Sequence, residues 1–149
     1  MKKLFFTTIF AALTLAAAPL HAQTLHVKLD DKLALDNNDA WFDGTGNSGP
    51  SDTGIAVFGA SLTGDVNDTF TWSLGTSQHW GGIRVDGPTG PAGNIVIATG
   101  NTLRLGQWGI DMANATTNLT INPAVILDAT QAWNIAARGS WGQATILDR

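Results

Sequence analysis

Five charged residues in the second half of the chain are of the types that act on acidic polysaccharides. They are three aspartates and two arginines: Asp86, Asp111, Asp128, Arg84 and Arg104. Stacked carboxylates can hold Ca²⁺, and a basic side chain beside them can assist cleavage of the sugar chain. The repeat described below distributes the five over different faces, so we expect no catalytic site from them.

Three short loops match nucleotide-binding or metal-binding patterns only in part. Residues 44–49 read G-x-G-x-x-G, but Pro50 follows where a dinucleotide site needs the start of a helix. Residues 36–39 and 65–68 carry several Asp and Asn oxygens, but neither has the EF-hand pattern or the glycine-rich nonapeptide repeat. We predict solvated turns, with Ca²⁺ binding as the alternative.

Residues suited to hydrolysis or zinc binding are few. Ser140 lacks the first glycine of the G-x-S-x-G hydrolase elbow, so it is predicted to be a turn serine. His26 and His79 are the only histidines after residue 22, and the chain has no cysteine. The sequence therefore predicts no catalytic, cofactor-binding or metal-binding residues, and no cofactor.

Tryptophans offer a different chemistry, stacking on sugar rings. Trp72, Trp80, Trp108 and Trp141 stand beside predicted strands or at predicted corners, where filling the interior is commoner than exposure. A carbohydrate-binding module with tryptophan platforms is one alternative function. A polysaccharide lyase or hydrolase is the other.

The first 22 residues are typical of a secretory signal peptide. Lys2 and Lys3 precede an apolar stretch over 4–18, and Gln23 follows the expected cleavage point. The stretch is shorter than the roughly 20 residues of a membrane-spanning helix, although an uncleaved anchor is the alternative. We predict export to the cell surface or medium, with the periplasm as the other destination.

Loss of the two lysines lowers the net charge from −4 to about −6, which opposes nucleic acid as a partner.

The remaining sequence favours β-structure. Only 13% of all residues are charged, every acidic one is Asp, and Gly, Thr and Asn separate short apolar runs. A helix over 124–137 is the one helical alternative. The predicted strands cover 25–29, 55–58, 69–74, 83–85, 94–97, 103–105, 109–112, 119–121, 125–127 and 133–135.

Strand-like triplets recur in a fixed order in the second half of the chain. Corresponding residues lie 27, 24 and 22 positions apart: Ile83 with Ile110, Ile95 with Leu119, and Leu103 with Val125. A third cycle begins at Trp133, and a last triplet starts at Ala144. One such unit cannot bury its own apolar side chains, but coiled units stack each strand on its counterpart and share one core. The sequence therefore predicts a parallel β-helix, or solenoid, of about three rungs.

The repeat assigns directions to particular side chains. Alternation points Ile83, Val85, Ile110, Met112, Trp133 and Ile135 inward. The same alternation places Arg84 beside Asp111 as an exposed ion pair. Three glycines are expected to turn corners between faces: Gly100, Gly106 and Gly109.

The stretch from Trp80 to Trp133 contains five short motifs: Trp-Gly-Gly-Ile at 80–83, Thr-Leu-Arg-Leu-Gly at 102–106, Gly-Ile-Asp-Met at 109–112, Asn-Leu-Thr-Ile at 118–121 and Gln-Ala-Trp at 131–133. With these motifs it resembles the autotransporter-associated β-strand repeat proteins, and the resemblance extends over about 40–149. Members are bacterial exported proteins, associated with the outer membrane, whose passenger regions are right-handed parallel β-helices. The resemblance implies the same fold here.

The resulting expectation is an all-β chain with three parts: a signal peptide over 1–22, an irregular N-terminal β cap region over 23–79, and repeats of about 24 residues over 80–149. We expect an exported, non-enzymatic structural segment of the cell surface, with adhesion as a possible use. The chain stops at Arg149 within its third cycle, without a long repeat array or C-terminal barrel. We therefore expect the chain to be a short N-terminal portion of such a repeat protein, from a truncated or split product. Its open C-terminal end is expected to associate with a second copy or with further repeats. Surface glycans are the other expected partners.

Overall fold

The computed structural model describes residues 23–59, 61–63, 68–87, 94–135 and the backbone of 144–146. The predicted signal peptide lies outside these residues. The described chain is mostly β-strand, with a single 3₁₀ helix at Asn38–Ala40. The strands are β1 Thr24–Lys28, β2 Trp41–Phe42, β3 Gly54–Phe58, β4 Thr69–Trp72, β5 Gln78–Val85, β6 Asn94–Ile97, β7 Thr102–Asp111, β8 Asn118–Ile121, β9 Ala124–Leu127 and β10 Ala144–Ile146.

The strands form two sheets. One has the order β2-β1-β3-β5-β7-β9 and the other β10-β8-β6-β4. From β3 to β10, consecutive strands alternate between the sheets, and each pairs in parallel with the strand two places further along. The described ladders hold one antiparallel pair, formed by β1 and β2. Two parallel strands that pair with each other cannot be joined by a hairpin. The chain between them therefore crosses to the other sheet and contributes a strand there before it comes back.

The pairing confirms the spacing found in the sequence. Ile83 lies opposite Ile110, Ile95 opposite Leu119, and Leu103 opposite Val125. The last triplet also pairs as predicted, with Ala144 opposite Leu119. The third cycle contributes an isolated parallel bridge between Asp111 and Asn134.

A single apolar core lies between the sheets. It contains the inward residues of successive strands, including Ile83, Val85, Ile110 and Met112 as predicted. Aromatic rings fill the core near the first strands. Trp41 meets Phe58 and Trp80 edge-on, at centroid distances of 5.6 and 5.8 Å, and its indole N–H donates to the Leu35 carbonyl. Each such ring pair adds roughly 0.5–1.5 kcal/mol to the stability that burial provides.

Glycines let β5 and β7 approach closely where their register shifts. Gly81 faces three residues of β7, since Trp80 pairs with Leu105 while Gly82 pairs with Gly109. A Cβ on Gly82 would lie 2.7 Å from the Trp108 Cβ. Gly100 (φ +114°) lies between β6 and β7, in agreement with its predicted corner position. Gly106 and Gly109 (φ +60°) lie within β7, so the corners predicted there are wrong, and Gly106 packs closely against Gly81.

Some sequence predictions are wrong at the level of single elements. The two strands predicted over 103–105 and 109–112 are one long strand that ends at Asp111, because the bulge keeps the ladder continuous. The strand predicted at 125–127 is confirmed by β9, and the helical alternative is absent from its described residues, 124–135, which also hold the bridge at Asn134. Residues 133–135 form no strand, and Trp133 and Ile135 remain 40% and 38% exposed instead of buried.

The observed register predicts which engineered cysteines can form a disulfide. Val96 and Thr120 are direct partners on β6 and β8, so their Cα atoms should lie about 4.8 Å apart, within disulfide range. We expect the double variant Val96→Cys/Thr120→Cys to lose both free thiols on mild oxidation. The native chain has no cysteine to interfere.

The matched control is Val96→Cys/Asn118→Cys, whose positions are offset by two residues and therefore about 8 Å apart. Thiol titration and mapping of cross-linked peptides report the outcome. A disulfide in the control, with free thiols in the first variant, would show that the register is shifted by two residues.

Candidate functional site

The outer side of the six-stranded sheet carries a group of charged side chains from successive repeats. Arg104 on β7 binds the carboxylate of Asp128 with two nitrogens, Nε at 2.7 Å and Nη2 at 2.6 Å. His79 on β5 places Nε2 3.0 Å from the Asp128 Oδ2. The backbone holds this arrangement, because His79 pairs directly with Arg104 and the Asp128 N–H donates to the Leu105 carbonyl.

A second ion pair lies further along β5. The Arg84 Nε donates to the Asp86 Oδ1 at 2.8 Å. Asp111 is the register partner of Arg84, but its Oδ1 accepts the Ala113 N–H. The register confirms the predicted position of Arg84 beside Asp111, but the hydrogen-bonded ion pair of Arg84 is formed with Asp86, two residues further along the chain.

The charges in these two groups stabilise one another. The hydrogen bond from Arg104 lowers the pKa of Asp128, with smaller contributions from the Arg104 and His79 charges. The same bond raises the pKa of Arg104, and the Asp86 hydrogen bond raises the pKa of Arg84. A carboxyl with a lowered pKa is ionised near neutral pH and is a poor general acid.

A small cleft lies beside Arg84 and Asp111 on this sheet. A cleft of about 110 Å³ is lined by Arg84, Trp108, Asp111, Gln23, Ile55 and Ile83. Ligand pockets usually measure about 300–1,000 Å³, so this one suits a few water molecules. The structure thus divides the five sequence candidates into two groups, with Arg104 and Asp128 in one, and Arg84, Asp86 and Asp111 in the other.

The acidic loops and histidines have local structural partners. Asn37 Oδ1 caps the 3₁₀ helix by accepting the Asp39 N–H. At the glycine-containing loop over 44–49, the Asp43 carboxylate accepts hydrogen bonds from the Thr45 N–H and hydroxyl and from the Gly46 N–H. These bonds lower the pKa of Asp43. His26 is buried and donates to the Ser48 carbonyl. In the described part of the chain, no three His or Asp side chains come together as a metal site. Residues 65–67 and Ser140 lie outside it.

Most tryptophans in the described residues are turned away from solvent. Trp41, Trp72 and Trp80 are buried. Trp108 is half-buried beside the small cleft, and Trp133 is exposed. Trp141 lies outside the described residues. The interior position predicted as commoner for Trp72 and Trp80 is therefore confirmed.

Sequence reasoning missed a buried lysine and the groove beside it. Lys28 is fully buried, donates to Asp31 at 2.6 Å and to the Leu29 carbonyl, and lies 4.7 Å from the Trp72 ring centre. Burial lowers its pKa, although the Asp31 carboxylate acts in the opposite direction. Next to it, a groove of about 420 Å³ runs between residues 30–32 and β4. The sequence feature that could have indicated the buried lysine is its inward position on β1, with Asp30 and Asp31 two and three residues later.

Comparisons with protein-family models, curated proteins and solved structures find no match for this chain. The likeness to autotransporter repeats therefore stays a prediction. The described residues contain no helix with the length and apolar character needed to cross a bilayer.

The ion pair between Arg104 and Asp128 predicts a change in carboxyl titration. Because Arg104 lowers the pKa of Asp128, any stability from this pair is present at neutral pH and is lost as the pH falls through the lowered value. We expect Arg104→Gln to raise the Asp128 pKa toward its ordinary range, measured by NMR titration of side-chain carboxyl carbons.

Asp43 is the internal control, because its lowered pKa comes from Thr45 and Gly46 instead of an arginine. Its titration should be the same in both proteins. An unchanged Asp128 titration in Arg104→Gln would contradict the bidentate pair.

Proposed function

We propose that the chain is a right-handed parallel β-helix that serves as an exported structural element of a bacterial surface. The observation that carries the fold is the alternation of strands between two sheets, with parallel pairing one repeat apart and one common core. The handedness follows from the general rule that connections between parallel strands of one sheet are right-handed. Stacked strand ladders make such a body stiff along its axis.

The role as a structural element is supported by how the outward charges are used. Four of the five residues considered for polysaccharide cleavage form the ion pairs Arg84–Asp86 and Arg104–Asp128, and Asp111 accepts the Ala113 N–H. The cleft beside Arg84 and Asp111 is too small for a sugar polymer. The buried Trp72 and Trp80 give no flat surface for a sugar ring. The outer surface therefore displays polar strands and local ion pairs.

Export and lack of cleavage activity can be tested together on the full chain with a C-terminal tag. In a Gram-negative host we expect a protein outside the cytoplasm whose mass corresponds to a start at Gln23. Leu13→Asp should block export by placing a charge in the apolar stretch, whereas Leu13→Ile should not.

We expect the exported protein to leave pectate intact with Ca²⁺ present. Cleavage that is lost in Asp111→Ala and kept in Asp52→Ala would replace the structural role by an enzymatic one. Retention of the full-length chain in the cytoplasm would contradict the export part of the proposal.

Among the described strands the six-stranded sheet ends at β9, and this end supports self-association. Val125 and Leu127 continue the inward positions of Leu103 and Leu105, but Leu127 is 53% exposed where Leu105 is fully buried. Trp133 and Ile135 are also exposed at this end. A second copy offers the same apolar surface and strand edge, so the two can cover each other around a twofold axis.

We expect the mature chain to sediment as a dimer or larger species and Leu127→Lys to sediment as a monomer, because a charge cannot be buried at the contact. Leu33→Lys is the control, since Leu33 is a similarly exposed leucine in the segment after β1. A wild-type chain that stays monomeric at high concentration would contradict this contact.

A further inference from the structure

Gln23 is the first residue of the mature chain in the proposed function, and its side chain can react with that new terminus. Cleavage after Ala22 makes the Gln23 nitrogen an α-amino group. Such groups lose a proton at a pH of about 8, so part of them is uncharged and nucleophilic at neutral pH. In the precursor the same nitrogen belongs to the peptide bond with Ala22 and cannot act in this way.

The structure places Gln23 where its side chain can turn back on this nitrogen. Gln23 is exposed and precedes β1. The ladder begins at the next residue, Thr24, whose register partner is Gly54. Because Gln23 is outside the ladder, a ring can close within it without breaking a strand pair.

The reaction closes a five-membered lactam on Gln23. The α-nitrogen attacks the side-chain carbonyl carbon, so a bond forms between N and Cδ while the bond between Cδ and Nε2 breaks. Nε2 leaves as ammonia with a proton from the α-amino group, and no oxidant, cofactor or second substrate is consumed. The product is pyroglutamate, whose nitrogen is an uncharged amide.

The small cleft beside Gln23 suits this uncharged terminus. Gln23 lines the cleft, which measures about 110 Å³. The other lining residues are three apolar side chains and one charge of each sign: Ile55, Ile83, Trp108, Arg84 and Asp111. Because the two charges are opposite, the cleft has no net charge that would favour an α-ammonium. Contact with the apolar side chains favours a neutral ring over an ion, which would lose hydration there.

We propose that Gln23 is a modification site, at which the exported chain cyclises without an enzyme and then begins with pyroglutamate beside this cleft. The proposal rests on the proposed cleavage before Gln23. A lactam presents no α-amino group for an aminopeptidase to recognise. Cyclisation therefore protects the residue that precedes β1 from trimming, at a terminus where proteolysis is otherwise common.

Peptide mapping of the exported protein distinguishes the modification from the cleavage on which it rests. We expect an N-terminal peptide that starts at residue 23, is lighter than its sequence mass by one ammonia, and is blocked to Edman degradation. A peptide that starts at residue 23 with a free amine would overturn the modification and leave the cleavage standing. A peptide that starts at another residue would contradict both.

The cyclisation is also tested without export, on the chain from residue 23 released from an N-terminal fusion by a protease that leaves no extra residue. Intact mass at neutral pH should fall by one ammonia with time. Gln23→Asn is the matched control, because its side chain is one methylene shorter and would have to close a strained four-membered ring. Equal loss of ammonia in both chains would place the reaction at another residue and overturn the proposal.

Pyroglutamyl aminopeptidase checks the identity of the ring, since it removes a terminal lactam residue and nothing else. After treatment in the unfolded state, we expect the wild-type chain to begin at Thr24 and the Gln23→Asn chain to be unchanged. A wild-type chain that stays blocked after treatment would overturn the assignment to pyroglutamate.

Discussion

Parallel pairing between residues about 24 positions apart is the constraint on which the rest of this structure depends. When Ile95 pairs with Leu119, the next inward positions, Ile97 and Ile121, come together as well. The apolar inward side chains of successive strands therefore pack on one another, and one core is shared by strands that are too short to bury these side chains alone. The same pairing aligns outward side chains, as the bond between Asn94 and Asn118 shows.

This constraint has opposite effects in the middle and at the ends of the stack. In the middle, Leu103 and Leu105 are covered on both sides and fully buried. Where the six-stranded sheet of described strands ends at β9, the same positions lose one neighbour, which exposes Leu127. The apolar surface proposed for self-association is thus a consequence of where this ladder stops.

Much of the fold could be predicted from the sequence, because spacing and alternation are properties of the chain itself. The strand at 94–97 and the registers of Ile83, Ile95 and Leu103 agree with prediction. The fate of residues 133–135 could not be predicted, since their burial depends on whether another strand covers them. The fusion of two predicted strands into β7 required the bulge opposite Gly81, which alternation alone does not reveal.

By itself, the sequence determined the β class, the repeat spacing and the inward direction of Ile83, Val85, Ile110 and Met112, since each follows from residue type and position along the chain. Only the tertiary structure decided that Arg84 binds Asp86 while Arg104 binds Asp128, that Lys28 is buried, and that the six-stranded sheet of described strands ends at β9. Periodicity is local and repeats, whereas the choice of an ionic partner or the end of a sheet depends on which atoms occupy the neighbouring space.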